Sequence, residues 1–315
     1  MRFRADTDAS AATLRAMQTS AIGTSPLIST RLAYGCWRLA GREGGARRDD
    51  AEGMAAVRAA FDAGYTLFDH ADIYGRGECE RIFGRVLRDT PGMRQRITLA
   101  TKCGICPPWD GRTHCYDSSS AHIVASVEGS LKRLGTDFVD LLMLHRPDFL
   151  GDPSEIAAAF ALLRAQGKVR EFGVSNFRPS QLAALQRHCP MPLIANQVEV
   201  SLAALACLDD GTLDQCLAER ITPMAWSPLA KGLLLGEAPH VQGLQALLAR
   251  LAAEKGAKPA AIALAWLLRH PSRMMPIIGS TNPARIREAT RADAIELTRG
   301  EWYALLTTAR GSALP

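Results

Sequence analysis

A chain of 315 residues, 47% hydrophobic and 22% charged, has the composition of an ordinary globular protein and is long enough to bury a sizeable core. Its net charge of +5 arises from 37 basic against 32 acidic side chains dispersed without a basic run, so nothing in it argues for a nucleic-acid partner. No apolar stretch approaches the roughly 20 residues of a membrane helix, which removes a membrane partner from the expectations.

In chain order, residues 1–27 mix Arg residues with Asp6 and Asp8 and lack the apolar run of a secretory signal, so they are expected to form a flexible leader, with Met17 an alternative start. A single domain is expected over 28–315. Within it, short runs rich in Val, Ile and Leu predict strands at 32–37, 67–69, 97–102, 139–145, 169–174, 193–198, 222–226 and 275–278. Between them, apolar residues recur every three or four positions at 49–63, 121–134, 155–166 and 259–269. Gly64, Gly135 and Gly167 stand where such helices would stop, and Ser154 and Pro259 where they would start. Eight strands alternating with helices suit an α/β fold of the (β/α)8 TIM barrel type, with two extra helices near 244–254 and 301–310. A doubly wound nucleotide-binding sheet would carry a glycine-rich turn after its first strand. Gly75-Arg76-Gly77 follows the second strand instead and lacks the third glycine.

In such a barrel the chemistry is built where the strands end. Here the ends are polar: Asp69, Lys102, His145, Ser175 with Asn176, Gln197, Trp226 with Ser227, and Gly279 with Ser280. If Asp69, Tyr74, Lys102 and His145 meet at one mouth, Lys102 supplies a charge that favours the phenolate of Tyr74 and eases proton donation. Asp69 would hold that ammonium, and His145 would hydrogen-bond a carbonyl oxygen. A simple ion pair between Asp69 and Lys102, with Tyr74 as a turn residue, accounts for the same pattern.

The motifs Phe68-Asp69-His70-Ala71-Asp72-Ile73-Tyr74-Gly75, Ala100-Thr101-Lys102-Cys103-Gly104, Leu144-His145-Arg146-Pro147-Asp148, Gly173-Val174-Ser175-Asn176-Phe177, Asn196-Gln197-Val198-Glu199 and Ala225-Trp226-Ser227-Pro228-Leu229 resemble the successive blocks of the aldo-keto reductase family. The resemblance runs from about residue 31 to the end and is nearest in wording to bacterial predicted oxidoreductases. It implies a catalytic tetrad of Asp69, Tyr74, Lys102 and His145, with Tyr74 the general acid in reducing an aldehyde or ketone by hydride transfer. It also implies that Ser175, Asn176 and Gln197 hold a nicotinamide carboxamide, that Trp226 stacks on the ring, and that Gly35, Trp37, Asp69, Ser227, Leu229 and Gly279 line the cofactor. Ser280, Arg285 and Glu288 match the positions that grip the adenosine end. A guanidinium suits a 2′-phosphate, so Arg285 favours NADPH over NADH. Against this, Gly279 replaces a common lysine and Ala289 a common asparagine. A regulatory or sensor subunit that binds NADPH and turns over slowly is the alternative that the resemblance leaves open.

Eight scattered cysteines in a chain this large predict free thiols and a reducing cytoplasmic setting. Cys103 and Cys106, followed by His114 and Cys115, have zinc-ligand residue types, yet no metal is expected and their neighbourhood to Lys102 points to pocket lining. Trp37 and Trp109 are expected to shape an apolar substrate pocket or to pack as ordinary core.

Overall fold

The protein is described from a computed structural model covering residues 16–41, 49–111, 113–236, 238 and 241–314. Eight strands close a parallel barrel: β3 (Ala33–Gly35), β4 (Leu67–Asp69), β5 (Thr98–Cys103), β8 (Val139–Leu144), β9 (Val169–Ser175), β10 (Leu193–Glu199), β11 (Thr222–Trp226) and β12 (Met275–Ile278). They lie side by side in chain order, and β12 pairs back onto β3 through Ile277 with Ala33 and Ile278 with Tyr34. The crossovers are α1 (Asp50–Asp62), α2 (Glu78–Asp89), α3 (Ser120–Leu134), α4 (Pro153–Ala165), α5 (Pro179–His188), α6 (Thr212–Ala218) and α8 (Pro259–Leu268), with α9 (Pro283–Ala289) after the last strand. The expected (β/α)8 TIM barrel is therefore the fold. Its two extra helices are α7 (Gln242–Glu254) and α10 (Arg299–Arg310).

Local chemistry sets most boundaries. Asp49 caps α1 by accepting from Ala51 N, and Ser119 caps α3 by accepting from His122 N. Gly64, Gly135 and Gly167 follow their helices with φ of 88°, 66° and 69°, the left-handed conformation for which glycine is suited. The fourth helix begins one residue before Ser154, at Pro153, because the Asp152 carboxylate accepts from Ser154 N. Trp266 and Trp302 stack at 5.1 Å and each indole donates to the other's backbone carbonyl, which fixes α10 against α8.

The expectation of a flexible leader over 1–27 needs correction. Residues 1–15 lie outside the described residues, but β1 (Thr19–Ala21) pairs antiparallel with β2 (Ile28–Thr30). Between these strands, Ile22 is wholly buried among Ala33, Leu67, Ala100, Leu141, Met224 and Met275, where it closes the bottom of the barrel. Gly23 follows at φ 57°, and a Cβ there would stand 2.5 Å from the Ile194 carbonyl oxygen, so the chain can bend back only with glycine. Ile22→Ala is expected to cost about 2–5 kcal/mol of stability, measured by denaturant unfolding, because the plug leaves a cavity that rigid strands cannot fill.

Candidate active site

Polar groups gather at the carboxyl ends of the strands, around an open groove of about 1730 Å³. That exceeds the usual range of a single small-molecule pocket. Parallel register brings the tetrad together: Gly35 pairs with Asp69 and Asp69 with Ala100, while Lys102 and Cys103 pair with Met143 and Leu144, just before His145.

Lys102 is fully buried, and its ammonium donates to Asp69 Oδ1 at 2.7 Å, to Oδ2 at 2.8 Å and to the His70 carbonyl at 2.6 Å. Three acceptors offset its desolvation. Asp69 accepts a further bond from Gln197 Nε2 at 2.9 Å, which ties the pair to β10. Tyr74 sits on the turn before α2, with Lys102 Nζ 5.1 Å from its ring centroid and the His145 ring edge-on at 5.9 Å. Trp37 leans on its other side at 6.4 Å.

The electrostatics correct one sequence expectation. Burial, followed by the Asp69 carboxylate, pushes the Tyr74 phenol well above its ordinary value instead of letting Lys102 lower it. The reason is geometric: the ammonium is already matched by Asp69, so the phenol meets a compensated ion pair in a desolvated place. His145 is held well below its ordinary value by burial, then by Lys102 and Arg146, and its Nδ1 has no hydrogen-bond partner among the described residues. A neutral imidazole and a protonated phenol therefore face the groove, both able to donate to a carbonyl oxygen.

Beside them runs a hydrogen-bonded chain. Trp226 Nε1 donates to Asn176 Oδ1 at 3.0 Å, Asn176 Nδ2 to Ser175 Oγ at 2.7 Å, and Ser175 Oγ to the Gln197 carbonyl at 2.8 Å. Asn176 holds φ of 60°, and after β11 the residues Ser227, Ala230 and Lys231 hold φ of 51°, 50° and 56°. Such left-handed backbone in residues other than glycine concentrates at ligand sites. Farther along the groove lie Leu229, Gly279, Ser280, Arg285 and Glu288. Apart from its chain neighbours, no atom of the described residues stands within 4 Å of a Cβ built on Gly279, so the backbone there is open to a ligand. Glu288 Oε1 is sheltered without a hydrogen bond from the described residues, its neighbour Arg291 Nε being 4.0 Å away.

Every residue expected in catalysis or cofactor binding lines this groove except Lys102, which lies beneath it behind Asp69. Cys103 and Cys106, expected as pocket lining, do not: Cys103 packs in the main core and Cys106 lies off the groove. Trp37 and Trp109 both face it. Sequence reasoning missed the groove's other cations, among them Arg146, whose guanidinium is 5.9 Å from the Trp226 ring, and exposed Lys258 at the start of α8. Their only trace in the sequence is position, Arg146 directly after a strand-end histidine and Lys258 directly before a helix-starting proline. The cysteines at 36, 79, 103, 106, 115, 189, 207 and 216 are free thiols.

Asp72, three residues beyond Asp69, is pushed up to about 7 by burial and then by Glu80, against a hydrogen bond from Ser126 and the charge of Arg133. Its Oδ1 is sheltered from solvent and has no hydrogen-bond partner among the described residues. Between an ordinary value near 4 and about 7, the folded protein keeps a proton that the unfolded chain has lost. Stability attributable to Asp72 therefore falls as pH rises through that window and stays low above it. Asp72→Asn is expected to raise stability at pH 8 by as much as roughly 4 kcal/mol and to change it little at pH 4, read from unfolding at both values.

The family model for the aldo/keto reductase family matches residues 31–306. Over 286 residues the chain is 42% identical to the 6-dehydroglucose reductase of Agrobacterium fabrum, spanning 90% of this chain and 95% of the relative. It is likewise 42% identical over 292 residues to the uncharacterized oxidoreductase YcsN of Bacillus subtilis, spanning 91% and 96%. The glycerol dehydrogenase AKR11B4 of Gluconobacter oxydans superposes with a TM-score of 0.83 at 26% identity, over 94% of this chain and 97% of that one.

Proposed function

Because the chain belongs to the aldo/keto reductase family, an oxidoreductase family whose members act on carbonyls, we propose that it reduces the carbonyl of a small aldehyde or ketone with NADPH, Tyr74 acting as general acid. The observation that carries this reading is the continuity of the groove, which runs from Tyr74 and His145, past the Asn176, Gln197 and Trp226 cluster, to Arg285 and Glu288. A dinucleotide and a second small molecule fit that layout. Bound there, NADPH would supply a hydride to the carbonyl carbon.

The chain's own residues account for the rest. The Trp226 indole, held by its bond to Asn176, offers a flat face for a nicotinamide ring, and Ser175, Asn176 and Gln197 offer amide and hydroxyl groups for its carboxamide. Tyr74 and His145 donate to the carbonyl oxygen as negative charge develops there, and Tyr74 gives up its proton. The resulting phenolate stands 5.1 Å, measured at the ring centroid, from the Lys102 ammonium. The Trp37, Trp109 and Tyr116 rings, with Arg146, suit a polar substrate carrying C–H faces. A sugar aldehyde, of the kind named for the Agrobacterium relative, is the substrate class these residues favour.

At the far end, exposed Arg285 and Lys258 offer cations for a 2′-phosphate, in place of the lysine that Gly279 does not supply. Oxidation of reduced nicotinamide, followed with sugar aldehydes, simple aldehydes and ketones, tests the activity. Turnover is expected with NADPH at lower KM than with NADH. Arg285→Ala should raise the KM for NADPH on the order of 10-fold to 100-fold and barely move that for NADH, as expected for one charge-assisted contact. Equal effects on both cofactors would overturn the role of Arg285, and no turnover with any carbonyl would overturn the activity.

A further inference from the structure

Beyond β5 the chain forms a two-stranded antiparallel hairpin, β6 (Ile105–Cys106) with β7 (Cys115–Tyr116), in which Ile105 faces Tyr116 and Cys106 faces Cys115. Side chains alternate across such a ladder. Ile105, His114 and Tyr116 line the catalytic groove, whereas Cys106, Cys115 and Asp117 do not. The second face of the hairpin lies toward the first turns of α3. There Cys106 Sγ, an Asp117 carboxylate oxygen and a His122 ring nitrogen all lie within 4.8 Å of one another. Cys115 faces Cys106 across the ladder; its exposed thiol stands outside that 4.8 Å group and would become a fourth donor only by swinging toward it.

The geometry points to a structural zinc site formed by Cys106, Cys115, Asp117 and His122, which would pin the hairpin that roofs the catalytic groove to α3. Two thiolates, an imidazole and a carboxylate form a donor set for a borderline-soft divalent ion of tetrahedral preference. Ligand atoms around tetrahedral zinc stand roughly 3.3–3.8 Å apart, so Cys106, Asp117 and His122 need a contraction on the order of 1 Å or less, while the exposed Cys115 side chain must swing further. His122 Nδ1 already stands 3.8 Å from Asp117 Oδ2.

The surroundings orient the donors as a zinc site requires. Asp117 Oδ1 accepts from Ser119 N at 2.9 Å, which turns the other oxygen toward His122. His122 Nε2 lies 3.3 Å from Ser126 Oγ, one turn further along α3. A proton on Nε2 donated to that hydroxyl leaves the Nδ1 lone pair facing the cluster. Ser126 in turn hydrogen-bonds Asp72.

The sequence pattern named different partners. Cys103, which the Cys-x-x-Cys spacing joined to Cys106, is buried in the main core at 1% exposure, and His114 turns toward the groove and packs edge-on against Tyr116. Asp117 and His122 take their places because a strand reversal and a helix start bring them beneath the hairpin.

The test uses the full chain, reduced with a phosphine and stripped with a chelator. Titration with zinc is expected to load one ion per chain with sub-micromolar affinity. Titration with cobalt is expected to give the thiolate-to-cobalt band and the intense visible bands of a tetrahedral site. Cys106→Ala should cut the thiolate band by about half or more, and both Cys106→Ala and His122→Ala should weaken zinc binding by about 10-fold to 100-fold or more. Circular dichroism confirms that both variants remain folded. Absence of stoichiometric zinc in the reduced protein, or zinc binding that survives both substitutions, would overturn the site.

Discussion

Tyr74→Phe is expected to lower kcat/KM for carbonyl reduction by about 10²–10⁴-fold while leaving the fold and the affinity for the dinucleotide unchanged. The substitution removes one hydroxyl and keeps the ring that packs between Trp37 and His145. The pH profile sharpens the test. Reduction needs the protonated phenol, so activity falls only as pH rises through the folded-state value, and burial with Asp69 moves that limb well above the ordinary position near 10. His145, held well below 6.5, adds no limb between pH 6 and 8. A flat profile through that range is expected for the parent. A Tyr74→Phe variant that retains full turnover would remove the phenol from the mechanism and leave His145 as the donor.

The second large effect concerns Lys102 and distinguishes a catalytic ammonium from a barrel-mouth ion pair. Lys102→Met keeps the length of the side chain but leaves the Asp69 carboxylate buried with Gln197 as its one remaining side-chain donor among the bonds described. Stripping one partner from a buried pair costs about 3–5 kcal/mol, so a large loss of stability is expected. The double variant Asp69→Asn/Lys102→Met carries no uncompensated charge and should recover much of that loss. Activity should not recover, since no cation would then meet the phenolate left when Tyr74 gives up its proton. The expected outcome is therefore a stable double variant reduced at least 100-fold in kcat. Restored turnover together with restored stability would reduce the pair to scaffolding. Unfolding midpoints and kcat on the parent and these two variants separate the two roles.

The eight strands and most helices were legible because each rests on local chemistry. Strands of a parallel barrel are buried on both faces and read as unbroken apolar runs, and capping groups such as Asp49 and Ser119 act within three residues. The polar strand ends pointed to the mouth for the same reason, since the barrel brings consecutive strand ends together whatever their spacing in the chain. Hairpin strands of three residues, by contrast, carry too few positions for alternation to register. The segment through Ile22 therefore looked like leader, although it closes the barrel floor.

What only the tertiary structure decided are quantities that depend on distance and burial summed over several elements. Asp69 and Lys102 could be named from the sequence, but the direction of the shift at Tyr74 could not. It depends on whether the Lys102 charge is free or already spent on Asp69, and desolvation decides that balance. The groove cations Arg146 and Lys258 stand 112 residues apart, 258 − 146, and share one cavity only because the barrel closes. Likewise, Cys106 gained Asp117 and His122 as neighbours in place of Cys103 and His114, because side chains alternate across a ladder and spacing along the chain does not reveal which face they take. Residue types and their order were set by the sequence alone, whereas which charges meet, and how much water lies between them, was set by the closed barrel.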